Sequence, residues 1–289
     1  YAKRMLESHI QFWPDDVTLY AYHEGEKPKL EHPKIKFVNI EDANPELVKF
    51  KKRHKDDPVA NGEIREVPGG VRRDPNAGKN DRGKGSYLWD AVRFAHKTFA
   101  VDHAIKTIDT DYVLWLDADT YTFRPITTEF VAGLLPEDKL VNFLGRGDKY
   151  PECGWVCYNR KHKKIKDFMQ YWTDMYVEDT IFNELEWHDS YLFWQCMKRV
   201  APDDGVDIGK GAGVEGNHVF INSVLGGYID HMKGKRKIKG KSSKSDLRGN
   251  RNEDYWKSVE NYDPFGGVKF DPKQAADIIS KTDKGKQGN

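Results

Sequence analysis

The stretch Tyr112-Val113-Leu114-Trp115-Leu116-Asp117-Ala118-Asp119-Thr120 constrains this chain more than any other. Five uncharged residues with strong strand preference run directly into two carboxylates one residue apart. That pattern reads as a buried strand whose C-terminal end delivers two acids to the edge of a sheet. In open α/β sheets, ligands bind at the carboxyl ends of strands. Residues i and i+2 of a strand point to the same side. Asp117 and Asp119 can therefore reach one hard cation, Mg²⁺ or Mn²⁺, carrying phosphate oxygens. The alternative is a strand followed by an ordinary acidic turn, since Asp-x-Asp alone is a weak motif.

The 289 residues suffice for one large α/β domain or two small ones. Lys and Arg number 47 against 46 Asp and Glu, a formal charge of +1, so no global field draws the chain to nucleic acid or to a membrane surface. No run of 18 apolar residues is present, so no transmembrane segment is expected. The start carries no secretory signal pattern. Cys153, Cys157 and Cys196 lack paired metal spacing and read as reduced thiols in or near the core. The expected setting is a soluble protein of the cytoplasm.

Helical and extended patterns alternate along the chain. A helix is expected up to Trp13, then strands over Val17–Tyr22 and Ile35–Ile40. Opening on a helix is unusual for a parallel sheet, and suggests a first strand ahead of it. Residues 56–86 are rich in Gly, Pro, Asn and charge, with very few large apolar residues, and read as a mobile loop. Ser86 suits the N-cap of a long helix, Tyr87–Ile108, with Leu88, Val92, Ala95 and Phe99 as its buried stripe. Arg93 and Lys97 stand four apart on another face; they either meet an anionic partner or form a solvated face with Lys97 snorkelling.

Further strands are expected at Leu140–Leu144 and at Glu152–Asn159, where Gly154 marks a close approach of ligand or backbone. Glu186, His188 and Asp189 precede an apolar helix over Tyr191–Val200, which Asp189 or Ser190 could simply cap. Residues 201–216 read as a loop. His231 leads into a basic run that starts at Lys233-Gly234-Lys235, well suited to a diphosphate next to the imidazole and a solvated tail beyond Lys239. One more helix is expected near Pro272–Ser280. The division expected is a catalytic domain over 1–240 and a basic linker plus helix over 241–289.

Taken together, these pieces resemble the GT-A-fold glycosyltransferases, which use nucleotide-sugar donors. The resemblance spans roughly Val17 to Lys237. It rests on Asp117-Ala118-Asp119 after an apolar strand, and on the preceding helix with Arg93 and Lys97, similar to donor-contacting residues of glycogenin-like members. Its third element is His231 followed by Lys233-Gly234-Lys235, similar to a His-x-x-Gly-x-x-Lys segment in which Lys237, not Lys235, takes the place of the later Lys. The resemblance implies an α/β, Rossmann-like fold with a mostly parallel central sheet and helices on both faces. It implies a hexosyltransferase moving sugar from a nucleoside-diphosphate donor, UDP-sugar favoured, to a glycan or other hydroxyl acceptor. Mn²⁺ or Mg²⁺ would sit on Asp117, Asp119 and His231. Arg93, Lys97, Asp117, His188, Lys233, Gly234 and Lys235 would contact substrate. Asp189, and after it Glu152, are the candidate bases if the transfer inverts; a retaining enzyme needs none. Two other classes also accommodate the Asp-x-Asp pattern. One is a haloacid-dehalogenase-type phosphatase, although Tyr121 stands where that family has Thr or Val. The other is a non-catalytic sugar- or nucleotide-binding module on the same fold.

Overall fold

A computed structural model describes residues 2–63, 86–210, 218–234, 236–249 and 251–258. Helix α1 (Ala2–Phe12) leads into strand β1 (Leu19–His23), which pairs in parallel with β2 (Ile35–Asn39). Short α2 (Ile40–Ala43) and α3 (Pro45–Arg53) follow. The Asn39 side chain caps α2 through Glu41 and Asp42 N–H, and Pro45 opens α3 where its missing N–H costs nothing. After a 3₁₀ turn at Tyr87–Trp89 comes α4 (Ala91–Thr107), capped by the Asp90 side chain on Arg93 N–H. Ser86, the expected cap, instead holds the 3₁₀ turn through Leu88 N–H.

The sheet that carries the site is built from β3 (Tyr112–Leu116), β5 (Val141–Arg146), β6 (Lys149–Asn159) and β7 (Gly205–Asp207), in the order β3-β6-β5-β7. Between β3 and β5 lie β4 (Thr120–Thr122) and α5 (Thr128–Gly133); between β6 and β7 lie α6 (Ile165–Val177) and α7 (Asp189–Val200). Then follow α8 (Val219–Asn222), β8 (Ile229–His231), α9 (Arg236–Lys239) and α10 (Asp254–Lys257). The α/β class stands. The pairing within it is mixed: β1–β2 and β5–β7 are parallel, whereas β6 runs antiparallel to both β3 and β5. The reason is local. Only Gly147 and Asp148 separate β5 from β6, and a two-residue connection can join antiparallel strands only. Gly147 has φ 66°, the positive value such a turn needs. Strand β7 falls inside the 201–216 segment expected as loop; three residues are too short to show a strand period.

Strand β6 is buried from Pro151 to Asn159 because helices cover both faces of the sheet. On one face Val156 and Tyr158 pack with Phe99, Phe168, Trp172 and Phe193 from α4, α6 and α7. On the other, Trp155 packs with Trp13, Leu144, Phe220, Leu225 and Trp256. Trp256 is 1% exposed, and its indole N–H donates to Gly226 O at 2.7 Å. Helix α10, in the segment expected as linker, thus packs onto this face through Trp256. Strands β1 and β3 each pair on one side, and an apolar groove of about 590 Å³ lies between them under α1.

Of the expected 56–86 loop, 64–85 lie outside the described residues, as do Lys235 and the helix expected near Pro272–Ser280. The described flanks are packed: Ala60 is fully buried, and Asn61 bridges Asp90. Among the described residues, no helix is long and apolar enough to cross a membrane. The three cysteines are free and buried.

Candidate metal and diphosphate site

Backbone hydrogen bonds bring the site together. Leu116 lies opposite Trp155 at the end of β3, and Asp117 N–H continues the pairing by donating to Gly154 O at 3.0 Å. The chain then turns: Thr120 donates to Asp117 O from both N–H (3.0 Å) and Oγ1 (2.9 Å). This turn starts β4, which pairs antiparallel with β8 so that Thr120 faces His231. Met232 N–H closes the ladder on Asp119 O at 2.9 Å. Strand register therefore sets an imidazole beside carboxylates that precede it by 112 and 114 positions.

Asp117, Asp119 and His231 each offer a ligand atom, all within 4.8 Å of one another. His231 Nε2 is 3.1 Å from Asp119 Oδ1 and 3.7 Å from Asp117 Oδ2. Trp115 Nε1–H donates to Asp117 Oδ1 at 2.7 Å and orients that carboxylate. Gly154 makes room for the ring: a Cβ there would stand 2.5 Å from His231 Cε1 and 2.9 Å from Nδ1. The close approach expected at this glycine is thus that of the imidazole. Two carboxylates and one imidazole suit a divalent cation.

Three lysines surround this trio. Lys97, 7% exposed, pairs with Asp189 Oδ2 at 2.6 Å and Asp117 Oδ1 at 3.5 Å, and lies over the Trp115 ring at 5.0 Å. The snorkelling alternative for Lys97 therefore fails, because its ammonium points inward. Lys233 Nζ pairs with Glu152 Oε2 at 2.8 Å. Lys237 Nζ lies 3.2 Å from Asp119 Oδ2.

These pairings set the charge states. Burial drives the Lys97 pKa down, but Asp117 and Asp189 outweigh it and hold the ammonium charged. Burial would likewise raise Asp189 and Glu152, yet Lys97 keeps the first below its usual range and Lys233 the second well below. Asp119 ends at about 2: burial pushes it up, and the His231 hydrogen bond followed by Lys237 pulls it further down. For His231, burial opposes protonation, while the Asp119 hydrogen bond and Glu152 raise its pKa on balance. Four carboxylates against three ammonium groups leave a negative site once the imidazole is neutral.

Other expected residues fall around this centre. Arg93 sits one helical turn before Lys97, its guanidinium 5.8 Å from the Phe94 ring centre. His188 is buried; its Nε2 lies 2.8 Å from Glu186 Oε2, among the rings of Tyr87, Phe94, Tyr150 and Tyr191. Asp189 is the first residue of α7, and no side chain caps that helix. Its carboxylate goes to Lys97 instead of to the helix N–H groups. Gly234 takes φ 61° in the turn after β8. Lys237 was not among the expected contact residues. Its place as the later Lys of the His-x-x-Gly-x-x-Lys segment was read from the sequence, but only Lys233 and Lys235 were expected to contact substrate.

No protein-family model and no curated protein matches the chain. Among solved structures it is similar to one described as the crystal structure of a glycosyltransferase involved in the glycosylation of the major capsid of PBCV-1. Identity is 13% and the TM-score 0.37, over 78% of this chain and 98% of that one.

Proposed function

We propose that the chain is a metal-dependent glycosyltransferase that takes a nucleoside-diphosphate sugar, UDP-sugar favoured, and transfers the hexose to a hydroxyl acceptor. The observation that carries this reading is the convergence of Asp117, Asp119 and His231 beneath a ring of lysines. A donor diphosphate brings two or more negative charges; because the carboxylates here outnumber the lysines, a divalent cation on the trio would supply the remaining countercharge.

In this reading Asp117, Asp119 and His231 hold Mn²⁺ or Mg²⁺, which as a Lewis acid would stabilise the leaving diphosphate. Lys97, Lys233 and Lys237, each already paired with a carboxylate of the site, are assigned to the charge that develops on the leaving group. Arg93 and Lys235 are assigned to the diphosphate side as well, and Gly234 gives the basic turn its shape. His188 is assigned to the acceptor side, where the exposed Tyr87 ring beside it offers a face to sugar. Asp189 is retained as the candidate base; Glu152, the second candidate, has one oxygen on Lys233 and the other on Gly154 N–H and is set aside. Both carboxylates rest on lysines, so an inverting transfer requires Asp189 to exchange Lys97 for the acceptor hydroxyl.

The test is calorimetric titration of UDP with and without Mn²⁺, on the wild type and on Asp119→Ala, together with turnover of a panel of UDP-sugars. Metal-dependent UDP binding that Asp119→Ala abolishes supports the reading. Metal-independent binding, or wild-type turnover in Asp119→Ala, refutes the metal assignment. Binding without transfer or donor hydrolysis points to a binding module, and hydrolysis of p-nitrophenyl phosphate to a phosphatase.

A further inference from the structure

Glu152 is the carboxylate whose position a donor site does not explain. It is 3% exposed, lies in the central sheet and never reaches the face where Asp117 and Asp119 meet Nε2 of His231. It stands on the other side of the same imidazole. Its Oε1 is 3.8 Å from His231 Nδ1, and its Oε2 is 2.8 Å from Lys233 Nζ. Gly154 N–H donates to Oε1 at 3.0 Å, so both oxygens are held in place. The strand is bent at this point: Phe143 pairs with Val156 but the next residue, Leu144, pairs with Glu152. That bulge turns Glu152 toward His231 and leaves Gly154 lying under the ring, and bulges commonly re-aim side chains beside active sites.

We propose that Glu152 is a positioning residue that selects the tautomer of His231. The inference rests on the metal reading above. An imidazole that binds a metal through Nε2 must carry its proton on Nδ1, and such ligands usually direct that N–H to a carboxylate or carbonyl. Glu152 provides an acceptor-only group on that side, since an ionised carboxylate has no proton to give. A closure of under about 1 Å brings 3.8 Å into hydrogen-bond range. Lys233 and Gly154 N–H keep the carboxylate ionised and facing the ring. Glu152 thus acts through His231 and does not touch substrate.

Glu152→Gln tests this at constant shape. Lys233 Nζ, 2.8 Å from Oε2, takes the amide carbonyl, so the NH₂ falls at the Oε1 position, gives up the Gly154 N–H bond and faces Nδ1. There the NH₂ can donate to Nδ1, which then accepts and leaves the proton on Nε2, where it blocks the metal. Mn²⁺ alone is titrated and followed by the electron paramagnetic resonance of the free ion. The expected loss of affinity in Glu152→Gln is ~10–100-fold, the usual effect of removing a partner outside the ligand set. A change within twofold overturns the proposal while leaving the metal site intact; no Mn²⁺ binding by the wild type overturns both. Ring ¹⁵N spectra of the Mg²⁺-loaded wild type, with His231 assigned by His231→Asn, give a readout independent of how Glu152→Gln folds. Protonated Nδ1 with unprotonated, metal-bound Nε2 is expected, and the reverse tautomer overturns the proposal.

Discussion

Gly154→Ala is the sharpest perturbation the structure offers, because one methyl group reaches the site while every residue of the trio is left unchanged. The backbone at Gly154 does not require glycine, since its φ is outside the positive values that disfavour other residues. The obstacle is the imidazole. A Cβ would lie 2.5 Å from His231 Cε1, 2.9 Å from Nδ1 and 3.2 Å from Glu152 Oε1. Carbon atoms pack best at about 3.5–4.0 Å, so the ring must retreat by roughly 1 Å. Metal–ligand distances tolerate only about 0.2 Å, and the trio would lose its nitrogen. Overpacking of this kind costs ~1–3 kcal/mol. If it falls on metal binding, Mn²⁺ affinity drops by ~5–150-fold. If it falls on the fold, thermal stability drops instead, because β6 and β8 are pushed apart. Calorimetry of Mn²⁺ binding and a melting curve on the same sample distinguish the two. Wild-type values in both would refute the argument that Gly154 exists to seat His231.

Lys97→Met should destabilise by ~3–5 kcal/mol in urea unfolding, because it strands Asp189 and Asp117 without their shared cation; adding Asp189→Asn should recover part of that loss. Asp189→Asn alone should keep UDP affinity and cut transfer by ~10²–10⁴-fold if Asp189 is the base. Near-normal transfer in that folded variant would leave Asp189 as the anchor of Lys97 only. Lys237→Ala should weaken UDP far more than uridine, and equal loss for both would contradict its place on the diphosphate. His9 gives a pH dependence away from the site. It stacks on Trp13, its Nδ1 is buried without a hydrogen-bond partner, and burial lowers its pKa from 6.5 to about 4. The unfolded chain therefore binds the extra proton between these values, and stability should fall as pH drops from 6.5 toward 4, by up to roughly 3 kcal/mol. His9→Phe should flatten that part of the stability–pH curve.

What the sequence determined by itself is the local chemistry. An apolar run ending in Asp117 and Asp119 selects a strand that delivers two carboxylates to a sheet edge, but not the buried strand expected: β3 is at the edge of its sheet and all five side chains are only half-buried. The alternation of helix and strand followed from periodicity, and the long helix of α4 from its spaced apolar residues. Tertiary structure decided which distant groups meet. The pairing of Thr120 with His231 is a register, and register between strands more than a hundred residues apart leaves no mark in either segment. The same holds for charge. Lys97 reads as a surface residue by type and becomes buried only because Asp189, Asp117 and Trp115 converge on it. Gly154 was legible as a close approach, but not what approaches. Glu152 was legible as an acid near a glycine, and only the bulge in β6 turned it toward the imidazole and away from open solvent. The two-residue link at Gly147 was visible all along, yet the antiparallel course of β6 emerges only when the hairpin it dictates is set against β3. Local sequence selects elements because their forces act over a few residues; the site belongs to the packing, where those elements face each other.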